Sequence, residues 1–423
     1  MRGLISDIKR ELVFLLRQRN VQILLLFALA ISVFSVTTGL LEIDKQNQTI
    51  SRLVDYDNAD RQGVMDKYSG YGSMAYYSRH LTYAAPSALA FSAIGQRDVL
   101  PWKHRIKVLA IEGQIYETDA DNPELAYVGR IDFAFLISVL APLFVILLLH
   151  DVKAAERSGG RYELLFTTSQ HPERLWLIRI LVGALSLTAM LVLPFIIGAV
   201  ISGTPFIDML LVLAICAGQI LFWSMVCHWV GRIDASAPQL ASMLLGLWLL
   251  TTVIIPVVGA KYIDEVVDSP EGGDIVLTQR EAVNGAWDKP YQVTFDAFLR
   301  THPKLKDHVA MTNSFDWKWY LAFQQVGDQT AEPISKAYRQ ATVRKNELAG
   351  IVALFSPAMM VQRTMTEVAQ TDTAAMLRYQ QSIRDFHAEL RQFYYPFLFY
   401  GTPYDKTAFE KRPEFQANTN PSS

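Results

Sequence analysis

The amino-acid sequence predicts a mainly α-helical, polytopic membrane protein with five transmembrane helices and two largely helical extracytoplasmic regions. The composition points there first: 51% of the 423 residues are hydrophobic, 19% are charged and the mean hydropathy is +0.17, which is apolar for a soluble chain. Five nearly uncharged runs then approach or exceed the about 20 residues that a helix needs to cross about 30 Å of hydrocarbon. Finally, lysine and arginine gather in alternate connections between those runs, as the positive-inside rule requires.

In chain order, residues 1–20 are expected to form a cytoplasmic, interfacial amphipathic helix. Ile5, Ile8, Leu12, Leu15 and Leu16 fall at helical spacing, with Asp7, Lys9, Arg10, Arg17 and Arg19 at other positions. Residues 21–41 are the first span, uncharged throughout and too long for the apolar core of a signal peptide. Residues 42–130 read as an extracytoplasmic insertion, largely helical, with amphipathic spacing clearest between Val99 and Ile115. Its tyrosines (Tyr56, Tyr68, Tyr71, Tyr76, Tyr77 and Tyr83) are expected to pack on the insertion's own core.

Residues 131–150 form the second span, with Asp132 at its outer lip and Pro142 inside. A cytoplasmic loop, 151–179, leads to the third span, 180–202, which holds Pro194. Gly203-Thr204-Pro205 is a tight turn before the fourth span, 206–229. The fifth, 238–260, carries Pro256 near its outer end. Proline is tolerated in spans because neighbouring helices satisfy the carbonyls it frees.

Residues 261–423 are many-charged, and their longest apolar stretch, Ile351–Val361, is too short to span. This tail is expected to remain outside. Residues 364–395 read as a helix whose apolar face runs through Met376, Tyr379, Ile383, Phe386, Leu390 and Phe393. The aromatic run 393–400 suits a bilayer surface, the first insertion, a partner or an ordinary core. Residues 418–423 look like a flexible end.

The N-terminal segment holds Arg2, Lys9, Arg10, Arg17 and Arg19, loop 151–179 holds Lys153, Arg157, Arg161, Arg174 and Arg179, and the 231–237 turn holds Arg232; the 203–205 turn has no basic residue. With five spans, all three basic segments fall on one side, placing the N-terminus in the cytoplasm and both large polar regions outside. That is the topology of a multi-pass membrane protein with its N-terminus inside. A net charge of −2 without a basic arm gives no reason to expect nucleic acid. Cys216 and Cys227 are eleven residues apart on one apolar run, about 16 Å along a helix, too far to pair with each other.

Chemistry-bearing motifs are absent from the sequence. There is no G-x-x-x-x-G-K-[ST], H-E-x-x-H or G-x-S-x-G, and His302 and His308 lack the companions of a zinc site. No catalytic or metal-binding residue is assigned, and the chain is not expected to be an enzyme or to bind a cofactor itself. Buried charge in spans marks ion or proton paths, and this chain has almost none. Its scarcity argues against an ion-coupled carrier. Gln219, deep in the fourth span, is the candidate intramembrane polar contact, read as a helix–helix hydrogen bond.

The segment Glu156 to Trp176, ERSGGRYELLFTTSQHPERLW, has an acidic-basic start, two glycines, Glu163-Leu164-Leu165 and a Ser/Thr turn into His171-Pro172. It resembles the cytoplasmic loop of ABC-2-type permeases. Leu247-Trp248-Leu249 with Pro256, Arg280-Glu281, His302-Pro303, Ser356-Pro357 and the Tyr379-to-Phe397 stretch occur in the order seen in a bacterial subgroup with large periplasmic insertions. The resemblance implies the permease subunit of an ABC transporter, in which two permease subunits, alike or related, work among membrane lipids with a separate ABC ATPase that binds ATP and Mg. It also implies export, and an ATPase-coupling contact at Glu156, Arg157, Glu163, Leu164 and Leu165. The sequence departs from the family in lacking a sixth span. The alternative is a non-transporting membrane sensor or scaffold with extracytoplasmic binding domains.

Overall fold

The computed structural model describes residues 2–116, 131–168, 172–311 and 313–417. Helix α1 (Arg2–Leu16) is followed by α2, which runs unbroken from Arg19 to Lys67. At about 1.5 Å per residue its 49 residues reach about 74 Å, more than twice the hydrocarbon thickness. The helix therefore does not stop where the uncharged run does, at residue 41. No proline interrupts the chain between Leu41 and Ser69-Gly70, so the helix carries on into the polar region as one rod.

Four more long apolar helices complete the bundle. They are α5 (residues 133–149), α8 (Pro172–Ile201), α9 (Phe206–Val230) and α10 (Ala237–Val266). Short helices α6 (Ala154–Ser158) and α7 (Tyr162–Thr168) join α5 to α8. The predicted turn at 169–171 lies outside the described residues, as do 117–130 of the insertion and the tail 418–423. A shared apolar core runs through Ala28, Phe144, Leu187, Phe195, Cys216 and Trp223. Both cysteines are buried and free. Helix α10 is the least integrated, with Leu240, Leu244 and Ile263 its buried residues.

The prolines explain two irregular turns. Pro142 has no N–H for the carbonyl of Ser138, four residues back. The helix widens there into a π turn, Leu136–Leu140, and a second π turn, Leu250–Ile254, precedes Pro256. Pro194 sits inside α8, and Ser32 of α2 donates to the carbonyl of Leu191 at 2.6 Å. Neighbouring helices thus satisfy carbonyls beside these proline breaks.

The rest forms one domain at a single end of the bundle. It combines the far part of α2, α3 (Tyr71–Tyr77), α4 (Glu112–Tyr116) and a hairpin of β1 (His80–Tyr83) with β2 (Lys103–Ile106), antiparallel, with His80 opposite Ile106. To these it adds α11 (Gly272–Gly285), α12 (Tyr291–Phe298), α13 (Trp317–Ala353), α14 (Pro357–Val368), α15 (Thr373–Phe399) and α16 (Lys406–Glu410). One core joins Met65, Tyr71, Ile106 and Ile115 from the first region to Phe298, Phe323, Ile383 and Phe399 from the second. The two polar regions are a single folded unit. The aromatic run at 393–400 rests on the first insertion: Phe397 stacks on Tyr71 with ring centroids 4.1 Å apart.

One expectation needs correction. The insertion is helical at its start but not over Val99–Ile115, where β2 and an irregular stretch precede the one-turn α4. That stretch is buried, and side chains from distant helices supply hydrogen bonds that a helix would make for itself. After Lys261 the chain also returns to the bundle. Helix α13 returns to α10, where a side chain at Gly259 would come within 2.5 Å of Val352. Val361, Met365 and Ala369 of α14 and its C-terminal end then enter the bundle's own core. The intervening turn exposes Leu354 and Phe355 to 69% and 65%.

Candidate functional site

The basic segments predicted to share one side do meet at one end of the bundle, opposite the domain. Amphipathic α1 lies along α8, and its buried Glu11 accepts a hydrogen bond from Arg179 Nε at 2.8 Å. Arg179 also donates through Nη1 to Glu156 of α6 at 2.9 Å, and Arg161 Nε reaches the second oxygen of Glu156 at 2.7 Å. The Arg179 guanidinium lies over the rings of Phe14 and Trp176, at 5.1 and 5.3 Å. Each acid here is charge-paired, as buried carboxylates must be. The cluster fixes α1, α6 and the start of α8 as one joint.

The predicted contact residues divide into two groups. Glu156 is buried within the joint and faces inward. Arg157 binds the neighbouring connection, donating to the carbonyl of Ile233 at 3.0 Å with Asp234 3.5 Å away. Glu163 and Leu164 are exposed on α7, Leu164 to 62%, and Phe166 beside them to 49%; Leu165 is half-buried. Tyr162 anchors α7 by stacking on buried Trp176 at 5.8 Å. A partner approaching this end would touch α7, with Glu156 behind it.

Glu11, Arg161 and Arg179 were not singled out from the sequence. The available signal was faint: Arg179 is a lone arginine one turn beyond Trp176, where an apolar run begins. An arginine there requires an acid from elsewhere, and α1 supplies one.

Gln219 is buried and donates from Nε2 to the carbonyl of Ser138 at 3.3 Å, four residues before Pro142. Trp248 Nε1 donates to the next carbonyl, Val139, at 3.2 Å. Ser138 Oγ in turn donates to Gln362 of α14 at 3.2 Å. The π turn of α5 is thereby tied to α9, α10 and the domain.

A second charged cluster lies within the domain. Glu112 receives Arg384 at both oxygens, at 2.7 and 2.9 Å, and Ser335 Oγ at 2.6 Å. Burial opposes its charge, but the bonds and charge of Arg384 outweigh that and hold its carboxyl below the usual range. Asp328 accepts from the backbone N–H groups of Ile111 and Glu112 and pairs with Arg391 at 2.8 Å. Burial nevertheless pushes its carboxyl up. His387 Nε2 lies 2.7 Å from the Leu109 carbonyl and donates to it. These groups clamp residues 108–113, and no three His, Cys, Asp or Glu side chains among the described residues form a metal set.

Residues 275–418 match the model of a domain of unknown function, DUF3526. No curated protein matches the chain, and no solved structure does. The matched stretch runs from α11 through α16. It takes in the domain's second region and the α14 contact with the bundle, and it leaves out all five long apolar helices and the Glu11–Glu156–Arg179 joint.

Proposed function

We propose that the chain is the membrane subunit of an ABC transporter, paired with a second permease subunit and driven by a separate ATPase that binds ATP and Mg. In this reading the α1 end faces the cytoplasm of a bacterium, the domain lies outside the inner membrane, and the cargo is exported. The observation that carries the reading is the joint at the α1 end. Exposed α7 sits on a base in which Arg179 holds Glu11 and Glu156 together, so force applied to α7 passes into α8 and its neighbours. The resemblance of 156–176 to the coupling loop of ABC-2 permeases gives that surface its partner, and five apolar helices suit a membrane subunit.

The test is co-purification of a nucleotide-binding subunit with the tagged full chain from membranes. Glu163→Arg with Leu164→Asp should abolish that association, because both side chains are exposed and neither supports the core. If ATPase association and stimulated hydrolysis survive both changes, the coupling role is wrong. If the wild-type chain carries no such subunit at all, the sensor or scaffold reading replaces the transporter.

A further inference from the structure

Behind the joint, between α1, the end of α5, α6 and α8, lies a cavity of about 260 Å³. Its polar wall is Glu11, Asp151, Glu156, Arg161 and Arg179, and its apolar wall includes Phe14, Leu15, Val21 and Leu148. We propose that this cavity holds the head group of a zwitterionic phospholipid of the phosphoethanolamine type, with its acyl chains in the seam between α2 and α5. The inference rests on the membrane reading of the five apolar helices.

The volume comes first. It is below the about 300 Å³ at which pockets take drug-sized molecules, so it admits a head group but not a whole lipid. The chains need a continuous apolar path out. Val21 opens α2 on one side of the cavity and Leu148 closes α5 on the other. Further along the same two helices Phe27 meets Phe144 edge-on, with centroids 6.1 Å apart. Ile23, Leu26 and Phe27 are exposed on α2, as is Leu147 on α5. The seam therefore begins at the cavity and continues along the bundle.

Charge selects the head group. Arg161 is engaged through Nε, and Arg179 through Nε and Nη1. Among the described residues the remaining guanidinium nitrogens make no hydrogen bond, which leaves donors for a phosphate. Three carboxylates against two guanidiniums give the wall a net charge of −1 (2 − 3). That balance disfavours a head group with only negative charge and suits one that adds an ammonium. Half-buried Asp151 at the lip is the acceptor for the ammonium. A polar cavity filled only with water would need none of the apolar wall.

Native mass spectrometry on the full chain, delipidated in mild detergent, tests this by adding back phosphatidylethanolamine, phosphatidylglycerol or soluble phosphoethanolamine. The expected result is one retained phosphatidylethanolamine per chain, held more tightly than phosphatidylglycerol. Arg161→Ala should weaken retention about tenfold, and Asp151→Asn should remove the preference between the two lipids. The Arg161 side chain is 62% exposed and Glu156 keeps its bond to Arg179, so its loss should shift the melting temperature far less than Arg179→Met does, and Arg344→Ala in the distant domain should leave retention unchanged. Equal retention of both lipids, or wild-type retention by Arg161→Ala, overturns the proposal. So does soluble phosphoethanolamine binding as tightly as the lipid, and so does an intact wild-type chain that retains nothing. Release of the chain from membranes by alkaline carbonate would instead refute the membrane reading beneath it.

Discussion

The chain buries charge at two opposite ends, and it builds the two clusters differently. In the domain, Glu112–Arg384 and Asp328–Arg391 join segments more than sixty residues apart in a packed core, and backbone N–H groups complete the arrangement. At the α1 end, Glu11–Arg179–Glu156 also joins distant segments, but Arg161 reaches solvent and a cavity lies beside the acids. Buried ion pairs are costly to break and contribute little net stability when intact. The first cluster thus enforces a single conformation of residues 108–113. The second borders a cavity and has room to shift, which suits a joint.

The sharpest test of that contrast is Glu112→Ala. It strands Arg384 in the core, and the expected loss is about 3–5 kcal/mol, read as a large fall in the melting temperature of the detergent-solubilised chain. Arg179→Met at the other end also leaves two acids without their shared partner, but Glu156 keeps Arg161 and a cavity lies beside both acids. Its expected stability cost is about 2 kcal/mol, and on the proposed transporter reading the main damage falls on ATPase-coupled activity. If the two variants melt alike, the distinction between clamp and joint fails.

Acid should find the domain before the joint. Burial pushes His80 down to about 3 and His104 down to about 4, and holds His387 well below its usual range. The folded chain refuses protons that the unfolded chain accepts near pH 6.5. Stability is therefore full above that pH and declines as the pH falls below it, by about 1.4 kcal/mol per unit for each such histidine. Asp328, pushed up by burial, works in the opposite sense over its own range. His80→Asn should remove one histidine's share of the slope. An unchanged slope between pH 6.5 and 5 would mean that His80 is not buried neutral.

Run length and periodicity located the apolar helices because a span has to satisfy its backbone within itself, and 21–41 or 206–229 can meet that need without reference to the rest of the chain. The same logic fails for 99–115. Those residues have helical spacing, yet their backbone is held by Gln324 and Asp328 from α13, Gln279 from α11 and His387 from α15. Local pattern cannot reveal partners that lie more than 160 residues away. For the same reason the aromatic run 393–400 left the first insertion as one of several possible seats, since Tyr71 and Phe397 carry no mark of each other. At the α1 end, Glu156 stood out as a charge in a loop, but whether it faced a partner or Arg179 depended on where α1 folded back.

The smallest expected effect concerns the link between the two ends. Gln219 and Trp248 donate to adjacent carbonyls in the π turn of α5, and Ser138 of that turn donates to Gln362. Hydrogen bonds between membrane helices average about 0.6 kcal/mol, so Gln219→Leu should lower stability by about that much and Trp248→Phe by a similar amount. The informative measurement is the double variant. Gln219 serves the Ser138 carbonyl, four residues before Pro142, and Trp248 serves its neighbour in the same turn, so losing them together should let the π turn relax and cost more than the sum. If the two changes simply add, each bond acts alone and the turn is held by Pro142 itself. Restoring the helix with Pro142→Ala in the double variant then decides the matter, because a recovered melting temperature means that proline created the need Gln219 and Trp248 meet.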